Sequence, residues 1–254
     1  MPNNTQFYAT LKELKKIFSS KNMGSRLEHY VECSRDWNVH HDLEYVKKWF
    51  NEMRNNCKME ITEIPLNSCK GWINDLNTGN YSHESGEFFR LHGIRVITDS
   101  REVGSGGWDQ PILAQIGFDG GLLGIIKQRF SGIPHYLIEA KAEPGNYSKV
   151  QLSPTLQATF SNLKRAHKGR KPLFSEFFEF PIDNEANVLY DNWLSEDGGR
   201  LHLKRNRGMI IEISEDRIIE VPDSFIWLSM WQIKELLKED AWINPHIRGI
   251  ISHL

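Results

Sequence analysis

Residues 140–162 read AKAEPGNYSKVQLSPTLQATFSN. Polar side chains crowd this stretch: Lys141, Glu143, Asn146, Gln151, Ser153, Thr155, Gln157, Thr159 and Asn162. Two stiff turns, Pro144-Gly145 and Ser153-Pro154, punctuate it. Gln151, Ser153, Thr155, Gln157 and Thr159 alternate with Leu152, Pro154, Leu156 and Ala158, a period of two that directs the polar set to one face of a strand. A solvated strand face ordinarily carries Lys and Glu, whereas these groups are uncharged hydrogen-bonding side chains. Two readings follow: an edge strand with a polar outer face, or the floor of a polar pocket.

Strand signals continue on either side. Before it, residues 110–117, 121–127 and 135–142 are apolar runs bounded by Gly or Pro. Further upstream, MEITEIPL (59–66) alternates like a strand, 70–76 reads as a short helix carrying Trp72, and 82–98 reads as two strands around a turn at His92-Gly93. Residues 99–109 form a glycine-rich loop that lacks the Gly-Lys-Ser/Thr of a phosphate-binding P-loop. Downstream, 158–166 turns helical and HKGRKP is a basic turn. Residues 174–180, 188–193, 200–204 and 209–213 read as strands. Helical spacing appears at both ends of the chain: Phe7, Leu11, Leu14, Ile17 and Phe18, closed by 21–24; a second stripe over 42–55; and a last helix over 222–240. Short strands between terminal helices predict an α+β protein, with no internal repeat or low-complexity segment.

At 254 residues the chain can bury a substantial core. Its net charge of −2 supplies no global field for nucleic acid or an anionic membrane, so neither is expected as a partner. Three cysteines without metal-type spacing, no apolar leader and no run long enough to span a bilayer lead us to expect a cytoplasmic protein.

The chemistry is narrowed largely by what is missing. The histidines form no HxxxH or HxxEH, so no metal site is expected. HESGEFF does not supply the acidic cluster of a Nudix pyrophosphatase, and no GxSxG nucleophile elbow occurs. For a diphosphate, Lys204, Arg205 and Arg207 gather at a strand end, where guanidinium forks suit phosphate oxygens. A second basic cluster, Lys164, Arg165, Lys168, Arg170 and Lys171, reads as solvated surface. Trp72, Trp108 and Trp193 lie near polar loops where a ring can stack on a nucleobase, although each alone fits core packing as well. His83, Glu84, Lys141 and Glu143 are the acid–base candidates, each of which taken singly also fits a structural role.

Taken together, TGNYSHESGEFFRLHGIRV (78–96), WDQPILAQIGFDGGLLGII (108–126), EAKAEPGNYSKVQLSPTLQATFSN, LKRNRGMIIEI and FIWLSMWQIKELLKEDAWINPHIRGIIS resemble the NDP-hexose 2,3-dehydratase family. The likeness runs from about residue 61 to the end, including Ile64-Pro65-Leu66 and Trp72. It implies a Nudix-like mixed sheet without the Nudix metal box, flanked by N- and C-terminal helices. It reads the chain as one module over 1–254, with an N-terminal helical segment (1–58) and a core (59–254). It implies no cofactor and a dTDP-linked 4-keto-6-deoxy sugar that loses water across C2 and C3, in the making of deoxysugars for antibiotics or surface glycans. Members of the family typically carry two modules, so a homodimer is expected of a single one. A module that binds a nucleotide sugar without transforming it is the alternative.

Such a reaction needs a base at C3, an acid at the C2 oxygen and donors at the C4 oxygen. For that chemistry Glu143 or His83 is expected as base or acid. Lys141, Asn146 and Gln151 would polarise the ketone, and Ser153, Thr155, Gln157, Thr159 and Asn162 would position the sugar. Lys204, Arg205 and Arg207 would hold the diphosphate, with Trp72 stacked on thymine.

Overall fold

The computed structural model describes residues 4–18, 24–99, 106–117, 120–163 and 171–254. Three helices come first: α1 (Asn4–Ile17), α2 (Gly24–Ser34) and α3 (Leu43–Asn55). Asp42 caps α3 by accepting a hydrogen bond from the Tyr45 amide at 2.8 Å, and Val46 and Phe50 form its buried stripe. A small antiparallel sheet follows, β1 (Trp72–Asn74), β2 (Tyr81–His83), β3 (Phe89–Val96) and β4 (Trp108–Gln115), in that spatial order.

The larger sheet is built on β5 (Gly121–Phe130) and β6 (Ile133–Ala142). Residues 121–128 are all buried, as a central strand covered on both faces requires. Ser131 and Gly132 join the two strands with φ of 51° and 76°, the left-handed pair that suits a two-residue hairpin. β7 (Val150–Pro154) and β8 (Leu156–Thr159) follow, then the short helices α4 (Phe160–Leu163) and α5 (Ser175–Glu179), and then β9 (Asn187–Ser195), β10 (Arg205–Ile213) and β11 (Phe225–Leu228). The order is β11-β6-β5-β10-β9, with β10 parallel to β5 and the other pairs antiparallel. The chain closes with α6 (Met230–Leu236) and α7 (Pro245–Ile251).

The sheet forks. β5 and β6 pair only from Phe130–Ile133 back to Ile126–Leu137, then diverge. β8 takes the place beside β5 and β7 the place beside β6. The chain crosses between the arms at Thr155, which is 2% exposed. Its hydroxyl donates to the Leu137 carbonyl at 2.5 Å and accepts from the Ile126 amide at 3.0 Å, tying the last paired residues of the two strands. A buried amide left without a partner costs about 1–3 kcal/mol, so this one hydroxyl stabilises the branch point.

Helices α3, α6 and α7 cover one face through Val46, Phe50, Met230, Ile233, Ile247 and Ile250. On the other face lie Phe174, Phe177 and Phe178. Gly124 exists for that layer, since a Cβ there would sit 2.3 Å from the Phe178 ring. A smaller cluster of Phe7, Leu11, Leu27, Val31, Trp37 and Ile133 docks α1 and α2 at the hairpin end. α2 is pinned to the sheet by charge as well. Glu32 accepts from the Tyr136 hydroxyl at 2.6 Å and faces Lys127 Nζ at 3.4 Å, and Arg129 links Glu28 (2.7 Å) to Glu212 (3.0 Å).

His135 is fully buried. Its Nε2 accepts the Val39 amide at 3.1 Å while Nδ1 lies 2.9 Å from the Ile133 carbonyl, a set that only the neutral Nδ1–H tautomer satisfies. Burial is the main cause that pushes its pKa down to about 4. Below pH ~6.5 the unfolded chain therefore binds a proton that the folded chain refuses. Stability should fall as pH drops from about 6.5 to about 4, by roughly 3 kcal/mol in all, and then level off. Urea midpoints across that range, compared with those of His135→Gln, measure it; equal slopes for both proteins would refute the assignment.

The α+β class is the one expected, with several local departures. Residues 59–65 form no strand, and Ile61 and Ile64 are exposed, so the alternation there has no sheet to join. The short helix at 70–76 is instead β1, paired to β2. His92-Gly93 lies inside β3, with Gly93 opposite Pro111, and the turn falls at 84–88 around Gly86. Phe174, Phe177 and Phe178 stand at helical spacing, with Phe174 as the N-cap of α5 and the other two inside it, and form no strand. Residues 200–204 make a single bridge, Leu201 to Leu113. The expected last helix is β11 followed by α6, whose start is fixed by the Ser229–Gln232 capping box. Helices α2 and α7 were not expected. Residues 164–170, with most of the second basic cluster, and 100–105 of the glycine-rich loop lie outside the described residues.

Candidate active site

A solvent-open cavity of about 460 Å³ lies above the fork, between β8, the start of β10 and the N-terminal turn of α7. That volume falls in the range of small-molecule sites. Glu143, Gln157, Thr159, Asn162, Lys204, Glu196, Asn206 and His246 supply its polar lining, and Phe89, Leu123 and Leu201 its apolar part.

The polar array is held from below. Asn244 is the N-cap of α7: its Oδ1 accepts from the Ile247 amide at 3.1 Å, and its Nδ2 donates to Ser153 Oγ at 2.8 Å and Gln157 Oε1 at 3.1 Å. Ser153 also donates to Gln157 Oε1, at 2.7 Å. With its oxygen taking two donors, the Gln157 amide presents Nε2 to Glu143 Oε1 at 2.8 Å. The orientation of that carboxylate is thus set by a chain reaching from β7 to α7.

In the same cavity, Lys204 donates to Gln115 and, at 3.0 Å, to Asn206 Oδ1. The Asn206 amide donates in turn to Glu196, whose carboxylate stands 3.5 Å from His246 Nδ1. Burial is the leading cause that lowers the His246 pKa. Glu196 and Glu143 act to raise it, and Lys204 and Lys141 to lower it. A half-buried imidazole, two carboxylates and an ammonium therefore feel one another across a single cavity.

Of the residues singled out from sequence, Glu143, Gln157, Thr159, Asn162 and Lys204 line the cavity. Ser153 holds Gln157 from beneath. Lys141 pairs with Glu139 at 3.3 Å, a carboxyl that burial pushes up. Asn146 donates to the Lys141 and Lys149 carbonyls and shapes the 143–149 turn. Gln151 donates to the Ala241 carbonyl at 2.8 Å and fastens β7 to the segment before α7. Thr155 is spent in the fork. Trp72, His83, Arg205 and Arg207 are likewise not brought to the cavity. Trp72 stacks on Tyr81 in the small sheet, with His83 edge-on to it and 2.8 Å from Ser85 Oγ. Arg205 lies over the Trp193 ring at 4.4 Å, and Arg207 forks onto Asp191 with Nε–Oδ1 at 2.7 Å. Alternation along β10 explains this split, since Lys204 and Asn206 face the cavity while Arg205 and Arg207 face the other way.

His246, Glu196 and Asn206 were not singled out. The Asn244-Pro245 pair marks a helix start and is a sequence signal for the first of them. A separate cleft of about 270 Å³ under α2 is lined by the Glu28, Glu32, Lys127, Arg129 and Glu212 charges, which pair with one another and dock the helix. Among the described residues no group of three or more His, Cys, Asp or Glu is placed to hold a metal ion, and no helix is long and apolar enough to cross a membrane.

Fold and cavity thus describe an α+β protein with a polar cavity lined by acid–base groups. A family model described as NDP-hexose 2,3-dehydratase matches residues 43–254, and the chain belongs to that family. Its relatives include a dTDP-4-dehydro-6-deoxy-alpha-D-glucopyranose 2,3-dehydratase of Amycolatopsis orientalis, 39% identical over 83% of this chain and 44% of that protein. Proteins of the same description from Streptomyces violaceoruber and Saccharopolyspora spinosa are each 36% identical, over 81% and 80% of this chain and 45% and 40% of their own lengths. The chain spans less than half the length of these relatives. Among solved structures, a C. elegans Ap4A hydrolase overlaps 54% of this chain and 98% of its own at 9% identity and a TM-score of 0.33. A Nudix hydrolase from M. smegmatis overlaps 63% and 91% at 13% identity and a TM-score of 0.31.

Proposed function

We propose that this chain eliminates water across C2 and C3 of a dTDP-linked 4-keto-6-deoxy hexose, giving a 3,4-diketo-2,6-dideoxy sugar for deoxysugar biosynthesis, antibiotics included. The observation that carries the proposal is the Gln157-held carboxylate of Glu143 lining one cavity with Lys204 and His246, in a chain of this family. The C4 ketone acidifies the C3 proton, so the substrate supplies its own electron sink. What the protein must add is a base, an acid at the departing C2 oxygen, and donors for the enolate oxygen. Glu143 serves as the acid at C2. The amides of Gln157 and Asn162 and the Thr159 hydroxyl meet the sugar, and Lys204 meets negative charge on the nucleotide side. A cytoplasmic homodimer belongs to the same reading.

Purified protein given dTDP-4-keto-6-deoxyglucose in deuterated solvent is expected to lose one water per sugar and to exchange the C3 proton. Neither dehydration nor exchange on any nucleotide-linked 4-keto hexose would defeat the proposal. Tight binding without turnover would mark a non-catalytic nucleotide-sugar module instead.

A further inference from the structure

We infer that His246, oriented by Glu196, is the base that removes the C3 proton, with Glu143 as its partner acid; the inference rests on the dehydration reading above. Three observations carry it. His246 follows Asn244 and Pro245 at the head of α7 and lines the cavity with Glu143 and Lys204. Its Nδ1 stands 3.5 Å from the Glu196 carboxylate, which marks Nε2 as the atom for chemistry. Glu196 is itself fixed, by the Asn206 amide and by its own backbone N–H bonded to the Lys204 carbonyl at 3.0 Å. A carboxylate that holds an imidazole in one tautomer and steadies the imidazolium is a recurrent arrangement for a general base.

The neighbouring charges suit the task. Glu196 and Glu143 favour the imidazolium, whereas burial, Lys204 and Lys141 disfavour it, and the balance lies on the neutral side of an ordinary histidine. The resting group is thus an imidazole with an available lone pair, and the imidazolium made by proton transfer is met by the Glu196 carboxylate, joined by that of Glu143 once its proton has gone to the C2 oxygen. In the reaction Nε2 takes the C3 proton, and the C–H pair becomes the C3=C4 enolate. That pair then forms the C2–C3 double bond as the C4 carbonyl is restored and the C2–O bond breaks. The oxygen leaves as water on a proton from Glu143, and the imidazolium passes its proton back to Glu143 through solvent. The enol at C3 tautomerises to the ketone, so atoms and electrons balance with no external oxidant or reductant.

The test uses wild-type protein, His246→Gln, His246→Asn and Glu196→Gln with dTDP-4-keto-6-deoxyglucose. The His246 variants should lose about 100- to 10,000-fold in turnover, with C3 exchange falling in parallel and dTDP affinity unchanged. Glu196 is a positioning residue: its loss removes a charge that favours the imidazolium, so the acid limb of the kcat–pH profile should move to lower pH. This limb reads the dyad even if a His246 variant fails to fold. An active wild type with full rate and exchange in a folded His246 variant, or with the limb unmoved in Glu196→Gln, overturns the dyad alone. An inactive wild type overturns the dehydration reading beneath it.

Discussion

Replacing Glu143 by Gln should lower the dehydration rate about 100- to 10,000-fold while dTDP binding stays near wild type. The substitution keeps the side-chain shape and removes the proton that the C2 oxygen needs to depart. Gln157 can turn its amide only at the expense of the bonds from Ser153 and Asn244, so the new amide at 143 meets Nε2–H with its oxygen and the cavity floor persists. C3 exchange separates the steps. If Glu143 acts only at C2, exchange in Glu143→Gln continues while water loss stalls. A variant with unimpaired turnover would place the acid elsewhere, and one that loses exchange and dehydration equally would make Glu143 the base.

Lys127→Met is expected to cost about 3–5 kcal/mol, because it leaves the Glu32 carboxylate buried without its ammonium. Glu32 is 3% exposed; burial pushes its pKa up, and Lys127 is the largest influence pulling it back. Adding Glu32→Gln removes the stranded charge yet still offers the Tyr136 hydroxyl an acceptor. The double variant should therefore recover more than half of the loss, and a double-mutant cycle of urea midpoints at constant m reads the coupling. Additive losses would show that α2 is held by its apolar stripe alone.

How much was legible in the sequence depends on the range over which each feature is specified. The continuous apolar run of β5 and the stripe of α3 announce themselves within ten residues, and both stand where expected. That Glu143, Gln157, Thr159 and Asn162 share one cavity was legible because one short stretch carries them all. Thr155 was misread as a ligand group, since nothing local shows that β5 and β6 part company at Ile126 and Leu137. The basic cluster around Lys204 was divisible from sequence, because period two assigns Lys204 and Asn206 to one face and Arg205 and Arg207 to the other. Charge density outweighed alternation in that reading. Glu196 and His246 sit on separate elements fifty residues apart, and only the packing of α7 against the start of β10 makes them neighbours.

The bond from Asn244 to Ser153 spans 91 residues of chain, which sets a schedule for the newborn protein. At roughly 5–20 residues per second of synthesis, the arms of the fork exist for about 5–18 seconds before the residue that clamps them is made. During that interval Ser153 and Gln157 lack the amide of Asn244, and the chain that orients Glu143 is without its anchor in α7. The floor of the cavity therefore cannot be completed before the head of α7 is made, even though most of its lining is written near the middle.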